Sequence, residues 1–201
     1  MARKVQPNSL IVYSPCPLPC FESSVGKMER VFGKKCFDDD VIPCPQKIRD
    51  GVLWIDSHGI QHPGRAGYMI RTSEKSVHPS RRPCIKHGDN GQCYLPSSCL
   101  PAMFDVHKSI VVLDNCYSSE VAIDTLSKWK DNMIFTTGYI KDYYDADSTG
   151  MVKALEIVME KLRREKGITE LSYRTVKENK DYINGVLADI NARCNTQYNL
   201  F

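Results

Sequence analysis

A chain of 201 residues, 42% hydrophobic and 25% charged, has ordinary globular composition and the length to bury one sizeable core. Its net charge of +3, carried by scattered basic residues, is too small to argue for nucleic acid or an anionic membrane surface, and no apolar run approaches a membrane span. The opening "MARKVQPNSLIVYSPCP" is continuously apolar only over Leu10 to Tyr13, too short for a secretory leader, so a soluble cytoplasmic protein is expected.

In chain order, short apolar runs alternate with helical patterns, which predicts an α/β fold built on a mainly parallel sheet. Ser9 to Tyr13 reads as a first strand. Ser24 to Phe32 reads as a helix with Val25, Met28 and Phe32 on one face. Val52 to Ile55 is a second strand, running into "DSHG". From Ile60 to Pro101 the sequence is rich in Cys, Pro and Gly without a strong period, and a loop region is expected there. Ile110 to Leu113 is a third strand, Val121 to Trp129 a short helix, and Met133 to Thr137 a fourth strand. After the polar "GYIKDYYDADSTG" comes the strongest helix, Met151 to Glu165, with Met151, Leu155, Val158 and Leu162 as its buried stripe. A more polar helix is expected over Thr169 to about Lys180, then further helix or a closing strand. With no repeat and no low-complexity linker, a single domain over 1–201 is the simplest account.

Two of the strands end in reactive groups. "VLWIDSHG" delivers His58 and Gly59, and "SIVVLDNC" delivers Cys116. In an open parallel sheet, sites form beyond the carboxyl ends of the strands, so neighbouring strands bring these residues together. A thiol is a modest nucleophile that an adjacent imidazole activates, and the same imidazole protonates an amide leaving group. Gly59, lacking a Cβ, lets its backbone N–H approach a substrate carbonyl oxygen, and the N–H of Cys116 completes an oxyanion hole. Other templates fit badly. A Cys-x5-Arg phosphatase loop needs an Arg that "CYSSEVA" lacks, and a nucleophile elbow needs glycines where the chain has Asp114 and Ser118. A papain-type enzyme has its Cys before its His.

The order strand-His-Gly, then strand-Asp-x-Cys, resembles the caspase-like cysteine peptidases, the clan that includes metacaspases, paracaspases and legumains. "SHG" resembles caspase usage, and "DNCYS" the metacaspase Asp-Ser-Cys-x-Ser-Gly pattern. Downstream, "MIFTTGYIKDYYDADSTGMVKALEIVMEKL" resembles the caspase strand, loop and long helix. The resemblance covers about Val52 to Leu162. It implies a caspase-like sandwich, a mainly parallel sheet with helices on both faces. It also implies a catalytic dyad of His58 and Cys116, with Gly59 and Cys116 donating to the oxyanion. In this clan the residue two before the nucleophile lines the P1 pocket: Gln in caspases, Asp in metacaspases and paracaspases, which take Arg or Lys. Here it is Asp114. Asp142, in the loop after the fourth strand, stands near the place of the caspase Arg that binds acidic P1. The implied activity is cysteine endopeptidase cleavage after Arg or Lys of a protein or peptide substrate, paired along the sheet edge near Thr136 to Tyr139. The clan's usual Gly shortly after the nucleophile is replaced here by Ser119, which would crowd the turn. An inactive pseudo-protease serving as a binding module is the alternative.

Nine cysteines, at 16, 20, 36, 44, 84, 93, 99, 116 and 194, leave at least one unpaired if the rest form disulfides. Cys84, His87, Cys93 and Cys99 loosely resemble a zinc knuckle, but the gaps are unusual, and disulfides or free thiols are the stronger expectation. His62, His78, His87 and His107 read as ordinary loop histidines. No cofactor is demanded by this chemistry; calcium as an activator is left open.

Overall fold

A computed structural model describes residues 6–7, 9–15, 21–36, 45–61, 68–88, 91–138 and 149–201. The strands are β1 (Gln6–Pro7), β2 (Leu10–Tyr13), β3 (Gln46–Arg49), β4 (Val52–Asp56), β5 (Gly59–Gln61) and β6 (Tyr68–Thr72). They continue with β7 (Lys86–His87), β8 (Cys93–Pro96), β9 (Phe104–His107), β10 (Ile110–Asp114), β11 (Met133–Thr136) and β12 (Asn199–Leu200). The α-helices are α1 (Phe21–Phe32), α2 (Leu100–Met103), α3 (Ser118–Leu126), α4 (Thr149–Lys166), α5 (Tyr173–Glu178) and α6 (Lys180–Cys194).

The chain is α/β, and its central sheet has the order β12-β11-β10-β4-β2. Every neighbouring pair in it is parallel except β11 with β12. β4 and β10 lie inside this sheet and every residue of both is buried, which is why each reads as an unbroken apolar run rather than an alternation. Because side chains alternate across a sheet, the two faces sort cleanly. Val52, Trp54, Ile110 and Val112 join α1, α4 and α6 in one core, while Leu53, Ile55, Val111 and Leu113 join α2, α3 and the strands β3 and β9 in the other. α4 is the longest helix described, and its predicted stripe of Met151, Leu155, Val158 and Leu162 is buried. It stops at Gly167, whose left-handed φ of 69° suits a helix C-terminus and whose amide donates to Arg163 O.

The structure departs from the sequence expectation in three places. The region 60–101, expected as loop, carries the short strands of an antiparallel sheet, β5-β6-β8-β7, between its turns. Its strands have two to five residues, and Pro and Gly interrupt them, so no period accumulates. At the C-terminal end, the single helix expected over Thr169 to Lys180 is instead the short α5, capped by Ser172 Oγ on the Thr175 amide at 3.2 Å, followed by the 15-residue α6. α6 buries Ile183, Val186, Leu187 and Ile190. The closing strand is present as well: β12 lies against the outer edge of β11, with Thr136 opposite Asn199. Thr136 is therefore no free edge for a substrate strand, and Gly138 packs on Gln197. Tyr139 lies outside the described residues. Among the described residues no helix is long and apolar enough to cross a membrane.

Candidate active site

The parallel register of β4 and β10 sets Asp56 opposite Asp114. The two strand ends are thus level, and His58 and Cys116 each follow two residues later. Beyond the ladder the segments stay together: Ser57 N–H donates to Asp114 O at 3.3 Å. Gly59 then packs directly on the backbone of the cysteine. A Cβ at this position would overlap the Cys116 carbonyl oxygen and stand 2.8 Å from its carbonyl carbon and 2.9 Å from Asn115 Nδ2. Only glycine fits such an approach.

The accessory sheet fixes the histidine segment from its other side. Arg71 N–H donates to His58 O at 2.7 Å, and Ser57 Oγ–H donates to Arg71 O at 2.5 Å. Gly59 is opposite Ile70. With the bond running from Arg71 N to His58 O, that pair is the non-hydrogen-bonded kind, and the Gly59 N–H points away from β6. That amide is the one the sequence reading expects to face an oxyanion. His58 is half-buried, and burial, followed by the Arg71 guanidinium, lowers its pKa from the ordinary imidazole value. Both effects favour the neutral ring, the form that accepts a thiol proton.

The cysteine segment is braced from β11. Cys116 is half-buried and forms no disulfide among the described residues. Asn115 is fully buried; its Nδ2 donates to Cys116 O at 2.7 Å, and its carbonyl accepts from Thr137 Oγ1 at 3.1 Å. Tyr117 turns the chain, with φ 59° and ψ 26°, and α3 starts at the next residue. Left-handed backbone at a non-glycine residue costs about 1–2 kcal/mol, and strain of this kind gathers at functional turns. Ser119 does not crowd this turn, contrary to expectation. The sharp bend falls at Tyr117, while Ser118 accepts from the Gly138 amide at 2.7 Å and Ser119 Oγ lies 3.2 Å from Thr136 Oγ1.

The structure brings one unforeseen residue to Asp114. Asp56 continues the row of Val52 and Trp54, and Asp114 that of Ile110 and Val112, so both carboxylates project from the same face of the sheet. Both are buried. Ser14 Oγ–H donates to Asp56 Oδ2 at 3.0 Å, but Asp56 Oδ1 and Asp114 Oδ2 have no hydrogen-bond partner among the described residues. Burial raises the Asp56 pKa to about 6. Asp114 is pushed well above the carboxylate range by burial and then by the charge of Asp56; the nearby Trp54 indole pulls weakly the other way, without reaching hydrogen-bond geometry. Tyr198 adjoins this pair, its hydroxyl raised to about 12 by burial first and by Asp114 next. Two buried acid side chains with open lone pairs can receive a cation, whose charge would favour ionisation of both. The sequence did carry a signal for Asp56. Each apolar run ends in Asp-x followed by the reactive group, as Asp56-x-His58 and Asp114-x-Cys116.

The other residues singled out from the sequence fall elsewhere. Asp142 and His62 lie outside the described residues. His78 is no idle loop residue: it caps a 3-10 helix, accepting from Ser80 N. His107 ends β9, 3.4 Å from Asp131, and His87 lies on β7. The four residues of the supposed zinc knuckle divide. Cys99 lies beside Cys84, and its thiol is pushed up to about 11, by burial first and by Cys84 next, whereas His87 faces Cys93. Comparison with protein-family models, with curated proteins and with solved structures finds no match to this chain, so the functional reading rests on the geometry of the site.

Proposed function

We propose that the chain is a caspase-like cysteine endopeptidase that cleaves after Arg or Lys. The observation that carries this reading is the packing of Gly59 on the Cys116 backbone at the level carboxyl ends of β4 and β10. That contact sets a histidine segment and a cysteine segment side by side, with the Gly59 amide turned away from its own sheet. The mainly parallel sheet with helices on both faces agrees with the architecture that the clan resemblance implies.

In the proposed reaction the P1 side chain enters toward Asp56 and Asp114, where its guanidinium or ammonium supplies the missing partners of the two carboxylates. His58 takes the thiol proton, and Cys116 Sγ attacks the scissile carbonyl carbon. The negative charge that moves onto the carbonyl oxygen is met by the amides of Gly59 and Cys116. As the tetrahedral species collapses, the C–N bond breaks and His58 returns the proton to the leaving amine. Water, deprotonated by the same imidazole, then attacks the thioester, and release of the new carboxyl end restores the thiol.

A peptidyl chloromethylketone with Arg at P1 tests the assignment directly. One adduct per chain is expected, on Cys116 by peptide mapping, with labelling slowed strongly in His58→Ala. A matched reagent with Asp at P1 is expected to label far more slowly. A folded protein whose Cys116 is labelled no faster than its other cysteines would overturn the dyad and leave a binding module in its place.

A further inference from the structure

On the outer part of the accessory sheet a second set of chemistry-bearing side chains converges, away from the dyad. His87 on β7 and Cys93 on β8 are cross-strand partners, and Glu74 comes from the turn after β6. Cys93 Sγ stands 3.6 Å from His87 Nδ1, and Glu74 Oε1 stands 3.9 Å from His87 Nε2. One ligand atom from each residue can be chosen so that all lie within 4.8 Å of one another. We propose that Glu74, His87 and Cys93 form a zinc site with its fourth position open to water or to an outside ligand.

The spacing favours this metal. Bonds of about 2.3 Å to sulfur and about 2.0–2.1 Å to nitrogen at a tetrahedral ion put those two donors roughly 3.5 Å apart, close to the separation found here. Thiolate, imidazole and carboxylate together suit zinc better than calcium or magnesium, which take oxygen alone. The backbone beneath the donors is already tied down. Gly88 N–H donates to Gln92 O at 2.9 Å across the hairpin, and Arg82 Nε–H donates to Glu74 O at 3.2 Å. Glu74 and His87 are exposed, so the carboxylate and the ring can turn toward a common ion without disturbing the core. The ligand set differs from the four-residue spacing in the sequence, since Cys84 and Cys99 lie beside each other as free thiols. A metal here would brace the sheet on which the His58 segment rests, but the inference does not depend on the protease reading.

The test uses the full chain carrying Cys116→Ala, so that the thiol of the proposed dyad cannot bind the added metal. After chelator treatment, Zn2+ is titrated against a chromophoric competitor, and Co2+ is added separately to look for thiolate charge-transfer absorption. One equivalent is expected to bind, with Cys93→Ser and His87→Ala each weakening it by more than about 100-fold and Glu74→Gln by about tenfold. Because Glu74 is exposed, that last variant tests the site without threatening the fold. The pair Cys84→Ser with Cys99→Ser is expected to leave affinity unchanged. Absence of a stoichiometric equivalent, no thiolate band with Co2+, or equal loss in the Cys84 and Cys99 variant would each overturn the three-residue site.

Discussion

Gly59→Ala is expected to lower kcat by about 100- to 1,000-fold, the range for losing one oxyanion donor, because the added methyl displaces the amide proposed to meet the oxyanion. The Cβ would overlap the Cys116 carbonyl oxygen, and a neighbouring carbonyl carbon and the Asn115 amide stand within 3 Å of it. None of these is a flexible side-chain end with room to move, since Asn115 is fully buried and held to Cys116 O. The β4 and β10 ends must therefore part. Separating them breaks the Ser57 N–H bond to Asp114 O and costs about 3 kcal/mol of stability, the upper range for overpacking. Steady-state kinetics with an Arg peptide, alongside denaturant unfolding, checks both effects. Near-normal turnover in the alanine variant would mean that the Gly59 amide is not part of the machinery.

Asp56→Asn is expected to move stability and activity in opposite directions. The Asp56 pKa lies at about 6 in the folded chain against 3.8 for a free side chain, mainly through burial. The folded state therefore binds more protons than the unfolded one between these values, and stability falls as pH rises from about 4 to about 6. A difference of that size between the folded and unfolded chain corresponds to about 3 kcal/mol of destabilisation, fully present at pH 8. Asparagine removes the charge while keeping the shape, so the variant should unfold later at pH 8 and show no advantage at pH 4. Its cost appears with substrate: losing one of two buried partners of the P1 cation is expected to lower kcat/KM for Arg peptides by about 30- to 1,000-fold. In the native protein, kcat/KM for Arg peptides should rise with pH through about 6 as Asp56 ionises. His58 titrates below its ordinary value and contributes its own limb. Alkylation of Cys116 by a neutral reagent reports the coupled Cys116 and His58 ionisations without the acid pair, which separates the two. A pH profile for Arg peptides identical to that of neutral alkylation would remove the acid pair from substrate binding.

The residues that were legible in the sequence are those whose environment is simple. β4 and β10 are buried on both sides, so Val52 to Ile55 and Ile110 to Leu113 announce themselves as apolar runs, and the reactive groups follow shortly after them. α4 is long and one-sided, and its stripe shows the helical period directly. Asp56 was harder to read. An acid at a strand end is ordinarily solvated, and only the register with Asp114 reveals that both sit on the buried face of the sheet. The accessory sheet escaped because strands of two to five residues, broken by Pro79, Pro83 and Gly88, cannot build a period; pairing between distant segments defines them. Tyr117 escaped for a different reason. A left-handed tyrosine is intrinsically disfavoured, and the β11 contacts of Ser118 and Ser119 on its far side hold it there.

Cys116 is proposed as a nucleophile facing a site for a basic side chain. The most direct measurement is hydrolysis of fluorogenic peptides bearing Arg, Lys, Asp or Asn at P1, with and without calcium, alongside folded Cys116→Ala. Cleavage after Arg or Lys is expected, and it should disappear in the variant. Cleavage after Asp or Asn alone, or cleavage that survives Cys116→Ala, would contradict the claim.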